Sequence, residues 1–135
     1  MASTTSAATR ADSLLPEALV PLLPCSDALS AELQRRGVTL CYWFGSTQNG
    51  TADSTSDVDL GVVLKDHPAK TERTRLWTQL LDDVQPLVRP RRVDLVLLQS
   101  APLALQWEAI DGALLFCADD TARADYEERV MRLWM

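Results

Sequence analysis

The hydrophobic positions change period several times along the chain, and each change predicts an element. From Ser13 to Gly37, Leu14, Leu15, Leu19, Val20, Leu22, Leu23, Leu29 and Leu33 recur near helical spacing, broken by Pro21 and Pro24. This predicts two short helices, the second capped by Ser26 or Asp27 and stopped at Gly37. "VTLCYWFG", from Val38, is β-branched and aromatic and predicts a buried strand. A polar, turn-rich stretch, "STQNGTADSTS", separates it from "DVDLGVVL", a second strand whose short connection predicts antiparallel pairing with the first. "TERTRLWTQLLDDVQPLV" places Leu76, Trp77, Leu80, Leu81 and Val84 at helical intervals, with Thr71 as its cap. "RRVDLVLL" is a third strand, "PLALQWEAI" a short helix entered through Pro102 and closed near Gly112, and "ALLFCA" a fourth strand. The tail from Asp119 carries Tyr126, Val130 and Leu133 on one face of a closing helix. The prediction is an α/β (α+β) domain: a small mixed sheet of about four strands flanked by helices.

Composition narrows the functional classes. A chain of 135 residues with 47% hydrophobic content is one compact domain, with 1–12 a frayed tail and 13–135 the folded unit. A net charge of −6 argues against general nucleic-acid binding, which needs Lys and Arg in excess, and suits a basic partner or a site that gathers cations. Cys25, Cys41 and Cys117 are odd in number, widely spaced and set among apolar residues, as expected of reduced thiols in a cytoplasmic protein. The head "MASTTSAATRADS" lacks the apolar core of a secretory signal, and no apolar run approaches the roughly 18 residues of a membrane span.

The second strand contains the anomaly. Asp57 and Asp59 lie on alternate positions and so point the same way, their Cα atoms roughly 6.5 to 7 Å apart, while Val58 and Leu60 point into the core. Packing does not ask for two like charges side by side in a half-buried place, where one is pushed toward protonation. A divalent cation removes the conflict, and Mg²⁺ typically takes one or two protein carboxylates beside waters and substrate phosphates. Asp94, flanked by Val93 and Leu95 in the third strand, becomes a third carboxylate at the same sheet edge if that strand lies beside the second. Such a set suffices for two ions about 3.5 to 4 Å apart, the arrangement that clamps both oxygens of an in-line phosphoryl displacement. Gly45 ends the first strand where backbone N–H groups can face an anion, and Ser46 adds a hydroxyl.

The bland alternatives are a solvated strand face for Asp57 and Asp59 and an edge charge for Asp94. A calcium loop starting at Asp57 fails, because Val62 and Pro68 stand where that loop needs Gly and Glu. Arg89, Arg91 and Arg92 read as a solvated strand lead-in and His67 as an exposed loop residue. Trp43, Trp77 and Trp107 fit core positions, whereas Trp134 is either packed or free to anchor a partner.

Gly45-Ser46, ten intervening residues, Asp57-x-Asp59 and then Asp94 resemble the signature of the polymerase-beta-type nucleotidyltransferase superfamily. The small size and the segment "VDLVLLQSAPLALQWEAIDGALLFCAD" are similar to the minimal nucleotidyltransferase (MNT) antitoxins found beside HEPN-domain toxins. The resemblance implies a polymerase-beta-like fold, nucleotide phosphates held by Gly45 and Ser46, and Mg²⁺, two ions, held by Asp57, Asp59 and Asp94 as the catalytic carboxylates. It also implies ATP as substrate and transfer of AMP to a tyrosine of a cognate HEPN RNase toxin. The family often carries Arg shortly after Gly-Ser, where this sequence reads Thr47-Gln48-Asn49-Gly50. Two other readings stay open: an antitoxin that neutralises by binding alone, and a transferase acting on a small molecule such as an antibiotic.

Overall fold

The computed structural model describes residues 26–49, 56–89 and 91–135. The predictions for the first helix, the 1–12 tail and Cys25 lie outside them. Helix α1 (Ser26–Arg35) begins with Asp27 in its first turn and is stopped by Gly37, which takes the left-handed conformation at φ +78°. Strand β1 (Val38–Phe44) and strand β2 (Val58–Leu64) follow, separated by a short helical turn, α2 (Ser46–Asn49). Then come helix α3 (Lys70–Val88), strand β3 (Val93–Leu97), a 3-10 turn at Leu98–Ser100, helix α4 (Leu103–Ile110), strand β4 (Ala113–Cys117) and helix α5 (Asp120–Trp134). Among the described residues no helix is long and apolar enough to cross a membrane.

The four strands form one mixed sheet in the order β3-β2-β1-β4. The β1–β2 and β1–β4 pairs are antiparallel, while β2 and β3 run parallel, Asp59 facing Asp94 in register. Strand alternation divides the core into two layers. Cys41, Trp43, Val58, Leu60 and Val62 pack with Leu33 of α1 and with Leu80 and Val84 of α3. Leu40, Tyr42 and Phe44 pack on the other face with Leu98, with Ala109 of α4 and with Tyr126 and Val130 of α5. Cys41 is buried and free, and loss of water pushes its thiol up to about 12, so it stays protonated and inert.

Four sequence expectations need correction. Asp57 does not belong to β2; the strand starts at Val58, whose N–H donates to Arg92 O at 2.8 Å and opens the pairing with β3. "STQN" is not open loop but the turn α2, in which Gln48 N–H donates to Gly45 O at 3.1 Å. Thr71 does not cap α3. Ala69 holds the cap position without a side-chain bond, its carbonyl accepting from Arg73 N–H at 2.8 Å, so the helix starts ahead of Thr71. Leu133 is 61% exposed, because α5 outruns the layer it packs on after Val130.

Side chains close the ladders where backbone cannot. Gln99 accepts from Leu64 N–H at 2.6 Å and donates to Leu64 O at 2.9 Å. Gln85 of α3 donates to Arg91 O at 2.9 Å and accepts from Val93 N–H at 3.0 Å, fixing the entrance to β3. Gly112 seats the α4–β4 corner directly on the end of β1: a Cβ there would lie 2.5 Å from Trp43 O and 3.1 Å from Phe44 Cα. Gly112→Ala should therefore destabilise the protein by about 1 to 3 kcal/mol, read from urea unfolding. A midpoint equal to wild type would contradict this packing.

Candidate active site

The site lies where β1 ends and β2 and β3 begin. Val58 and Leu60 face the α1–α3 layer, so Asp59 faces the α4–α5 side of the sheet, next to Phe44, its register partner on β1. On the other side of β2 the parallel register sets Asp94 directly across from it. Gly45 adopts φ +79°, and a Cβ at this position would overlap Asp59 Oδ2. Glycine is required here twice over, by its backbone conformation and by the carboxylate packed against it. Ser46 opens the turn α2 immediately after Gly45.

Asp59 is half-buried, whereas Asp57 and Asp94 are exposed. Burial, first, and then the neighbouring charge of Asp94 push the Asp59 carboxyl up to about 6; a hydrogen bond with Asp94 and the charges of Asp57 and Glu108 act in the same direction. Asp57 and Asp94 thus both act on Asp59, and Gly45 lies against that carboxylate. Glu108, exposed on α4, is the last and weakest of the charges acting on Asp59. In the sequence it stands in the Trp107-Glu108 pair of the segment "VDLVLLQSAPLALQWEAIDGALLFCAD".

Two further residues hold the site in shape. Thr47, inside the stretch that reads as a polar loop, is 1% exposed, and its Oγ1 accepts a 2.8 Å hydrogen bond from Trp43 Nε1–H. This bond ties α2, and with it the Gly45-Ser46 turn, to the core. Arg91 Nη1 donates to Ser56 O at 2.7 Å, bracing the segment just ahead of Asp57. Of the three arginines read as a solvated lead-in, Arg89 and Arg92 are exposed and Arg91 is this brace.

The donor set fits a hard divalent cation. The acids offer only carboxylate oxygens, and burial, then their repulsion, disfavours the charge on Asp59. Among the described residues no three His, Cys, Asp or Glu side chains form a ready-made chelate. Asp57, Asp59 and Asp94 are the residues that would hold a cation here, and its charge would offset the repulsion among them.

A family model described as "Polymerase beta, Nucleotidyltransferase" matches residues 28–121, well over half of the chain. This chain belongs to the polymerase beta nucleotidyltransferase family. Among solved structures, one described as a toxin-antitoxin with AMP-PNP is similar in fold, at TM-score 0.60 and 23% identity over 81% of this chain and 86% of that one. A complex of tri-AMPylated Shewanella oneidensis HEPN toxin with MNT antitoxin matches at TM-score 0.57 and 21% identity, over 84% and 86%. A structure described as a minimal nucleotidyltransferase matches at TM-score 0.54 and 26% identity, over 70% and 92%. No curated protein matches the sequence significantly. The polymerase-beta-like fold that the motif implies is thus the fold observed.

The raised Asp59 fixes the sign of a pH effect. Its carboxyl titrates near 6 in the folded chain and near 3.8 ordinarily, so the stability it confers is full below about pH 4 and lost as pH rises through about 6. Without metal, Asp59→Asn should flatten the fall of the urea midpoint across that window, and Mg²⁺ at pH 7.5 should stabilise wild type but not the variant. Parallel wild-type and variant profiles would contradict the assignment. Thr47→Val leaves the buried Trp43 N–H unpaired and should cost about 1 to 3 kcal/mol on unfolding.

Proposed function

We propose that this chain is a Mg²⁺-dependent adenylyltransferase that moves AMP from ATP to a tyrosine hydroxyl of a cognate HEPN RNase toxin, and so acts as its antitoxin in the cytoplasm. The observation that carries the reading is the Asp59–Asp94 pair across β2 and β3, packed against Gly45 and answering to Asp57. Family membership supports nucleotidyl transfer. AMP-PNP in one structural relative and an AMPylated HEPN toxin in another support the nucleotide and the acceptor class.

In this reading Gly45 and Ser46 receive the terminal phosphates, since the first N–H groups of the turn that they open have no partner within it. Asp57, Asp59 and Asp94 would hold Mg²⁺, which supplies charge neutralisation at the reacting phosphate. The tyrosine oxygen forms a bond to the α-phosphorus, the bond from that phosphorus to the pyrophosphate oxygen breaks, and pyrophosphate leaves with the electron pair. The phenol proton passes to the Asp94 carboxylate. Gly45 keeps Asp59 in place, because any side chain there would push the carboxylate aside.

Incubating the chain with ATP labelled at the α-phosphate, Mg²⁺ and the HEPN protein should place label on the toxin. The Asp57→Ala, Asp59→Ala double variant should lose roughly 10²- to 10³-fold in rate. Gly45→Ala should lose activity far out of proportion to any loss of stability. An unlabelled toxin, or equal labelling by the double variant, would contradict the transferase reading; toxin neutralisation that persists without labelling would point to action by binding alone.

A further inference from the structure

We infer that Arg91, itself held by Gln85 of α3, is a positioning residue for Asp57: it sets where that carboxylate stands, and so how tightly the site holds a divalent cation. The inference rests on the reading of Asp57, Asp59 and Asp94 as cation ligands, and adds to it a residue that is not a ligand.

Asp57 differs from the other two acids in what places it. Asp59 and Asp94 stand in the sheet, fixed by the register of β2 on β3, and Asp59 also by Phe44 on β1. Asp57 lies just ahead of β2, outside that register. Its position follows from its two neighbours, and both are bonded to the same dipeptide. Ser56 O accepts from Arg91 Nη1 at 2.7 Å, and Val58 N–H donates to Arg92 O at 2.8 Å. The dipeptide is held in turn from α3. Arg91 N–H donates to Val88 O at 3.2 Å, Gln85 Nε2 donates to Arg91 O at 2.9 Å, and Gln85 Oε1 accepts from Val93 N–H at 3.0 Å. Val84, next to Gln85, and Val88 are buried in the α1–α3 layer, so the anchor is the core itself. Asp94 follows two residues after Arg92. The same dipeptide therefore leads into the strand that carries Asp94 and holds the segment that carries Asp57, tying the two ligands together.

The use made of this arginine supports the assignment. Elsewhere in the chain guanidinium groups take carboxylates, as Arg35 takes Glu32 and Arg123 takes Glu127. Among the described residues Arg91 forms no ion pair; its donor goes to the backbone carbonyl next to Asp57 and leaves that carboxylate to a ligand. A positive charge near a cation site weakens binding by repulsion, whereas a fixed ligand backbone strengthens it. The two effects have opposite signs, so replacing Arg91 by a neutral side chain separates them. Arg92 supplies the matched control, because its side chain is exposed and it joins the clip through its backbone carbonyl alone.

The test is titration of the full chain with Mn²⁺, used in place of Mg²⁺ because its free form is counted by electron paramagnetic resonance. The site is taken as the ions that the Asp59→Asn variant fails to bind. Arg91→Met and Gln85→Leu should each raise the Mn²⁺ Kd about tenfold. Arg92→Met removes the same charge without touching the clip and should leave Kd unchanged or lower it. Melting profiles show which variants are folded; if Gln85→Leu is not, Arg91→Met, whose side chain is only half-buried, carries the test. A wild-type Kd in folded Arg91→Met makes the residue a structural brace and overturns the inference, as does an equal loss in Arg92→Met. A wild-type chain that binds no Mn²⁺ at this site overturns both the inference and the cation reading beneath it. Arg91-dependent Mn²⁺ binding in a chain that transfers no AMP supports the inference and defeats the transferase reading.

Discussion

The structure depends on one arrangement that electrostatics alone disfavours: two aspartates, Asp59 and Asp94, placed directly opposite on neighbouring parallel strands. Like charges in register across a strand pair repel, and half-burial of one of them raises the cost of ionising it. Surrounding packing keeps them there. Val58 and Leu60 are fully buried on the opposite face of β2, so a one-residue slip that removed Asp59 from its place would expose both. The hydrophobic face of the strand fixes where the charged face must be, and protonation of Asp59 relieves the conflict, as a bound cation would.

The remaining features at that end of the sheet keep the backbone around this pair from relaxing. Thr47 ties the turn after Gly45 to Trp43, Arg91 braces Ser56 ahead of Asp57, and Gln85 holds the entrance to β3. Each is a hydrogen bond from a side chain to a segment that carries no regular ladder. Gly45 and Gly112 remove bulk where Asp59 and the end of β1 are approached most closely. The result is a rigid rim on which charge, not shape, is left unsatisfied, as expected of a site that binds a charged ligand.

Much of this was legible in the sequence because it rests on period. The two-residue alternation of "DVDL" and "VDLV" set both aspartates opposite buried partners, and the short β1–β2 connection made the pairing antiparallel. Gly45 was legible as a residue needing close approach, though not that the approaching group is Asp59 itself. What escaped the sequence depends on contacts between segments far apart in the chain or on a local hydrogen bond that overrides polarity. Thr47 looks like loop and is core because Trp43 needs an acceptor. Glu108 looks like a surface helix residue, and its charge acts on Asp59 because α4 folds back over the sheet face that Asp59 shares. Leu133 fits the apolar face of α5 by periodicity, but periodicity does not tell where the layer beneath it ends.

The central claim is that the carboxylate conflict at the start of β2 and β3 is the chemistry of a cation-dependent nucleotide site. The most direct measurement is the titration of the Asp59 carboxyl by carbon-13 NMR, with and without Mg²⁺ and a non-hydrolysable ATP analogue. The account predicts a midpoint near 6 in the free chain, falling toward the ordinary aspartate value of about 4 when both ligands are bound. A midpoint near 4 in the free chain, or one near 6 that Mg²⁺ and nucleotide leave unmoved, would contradict it.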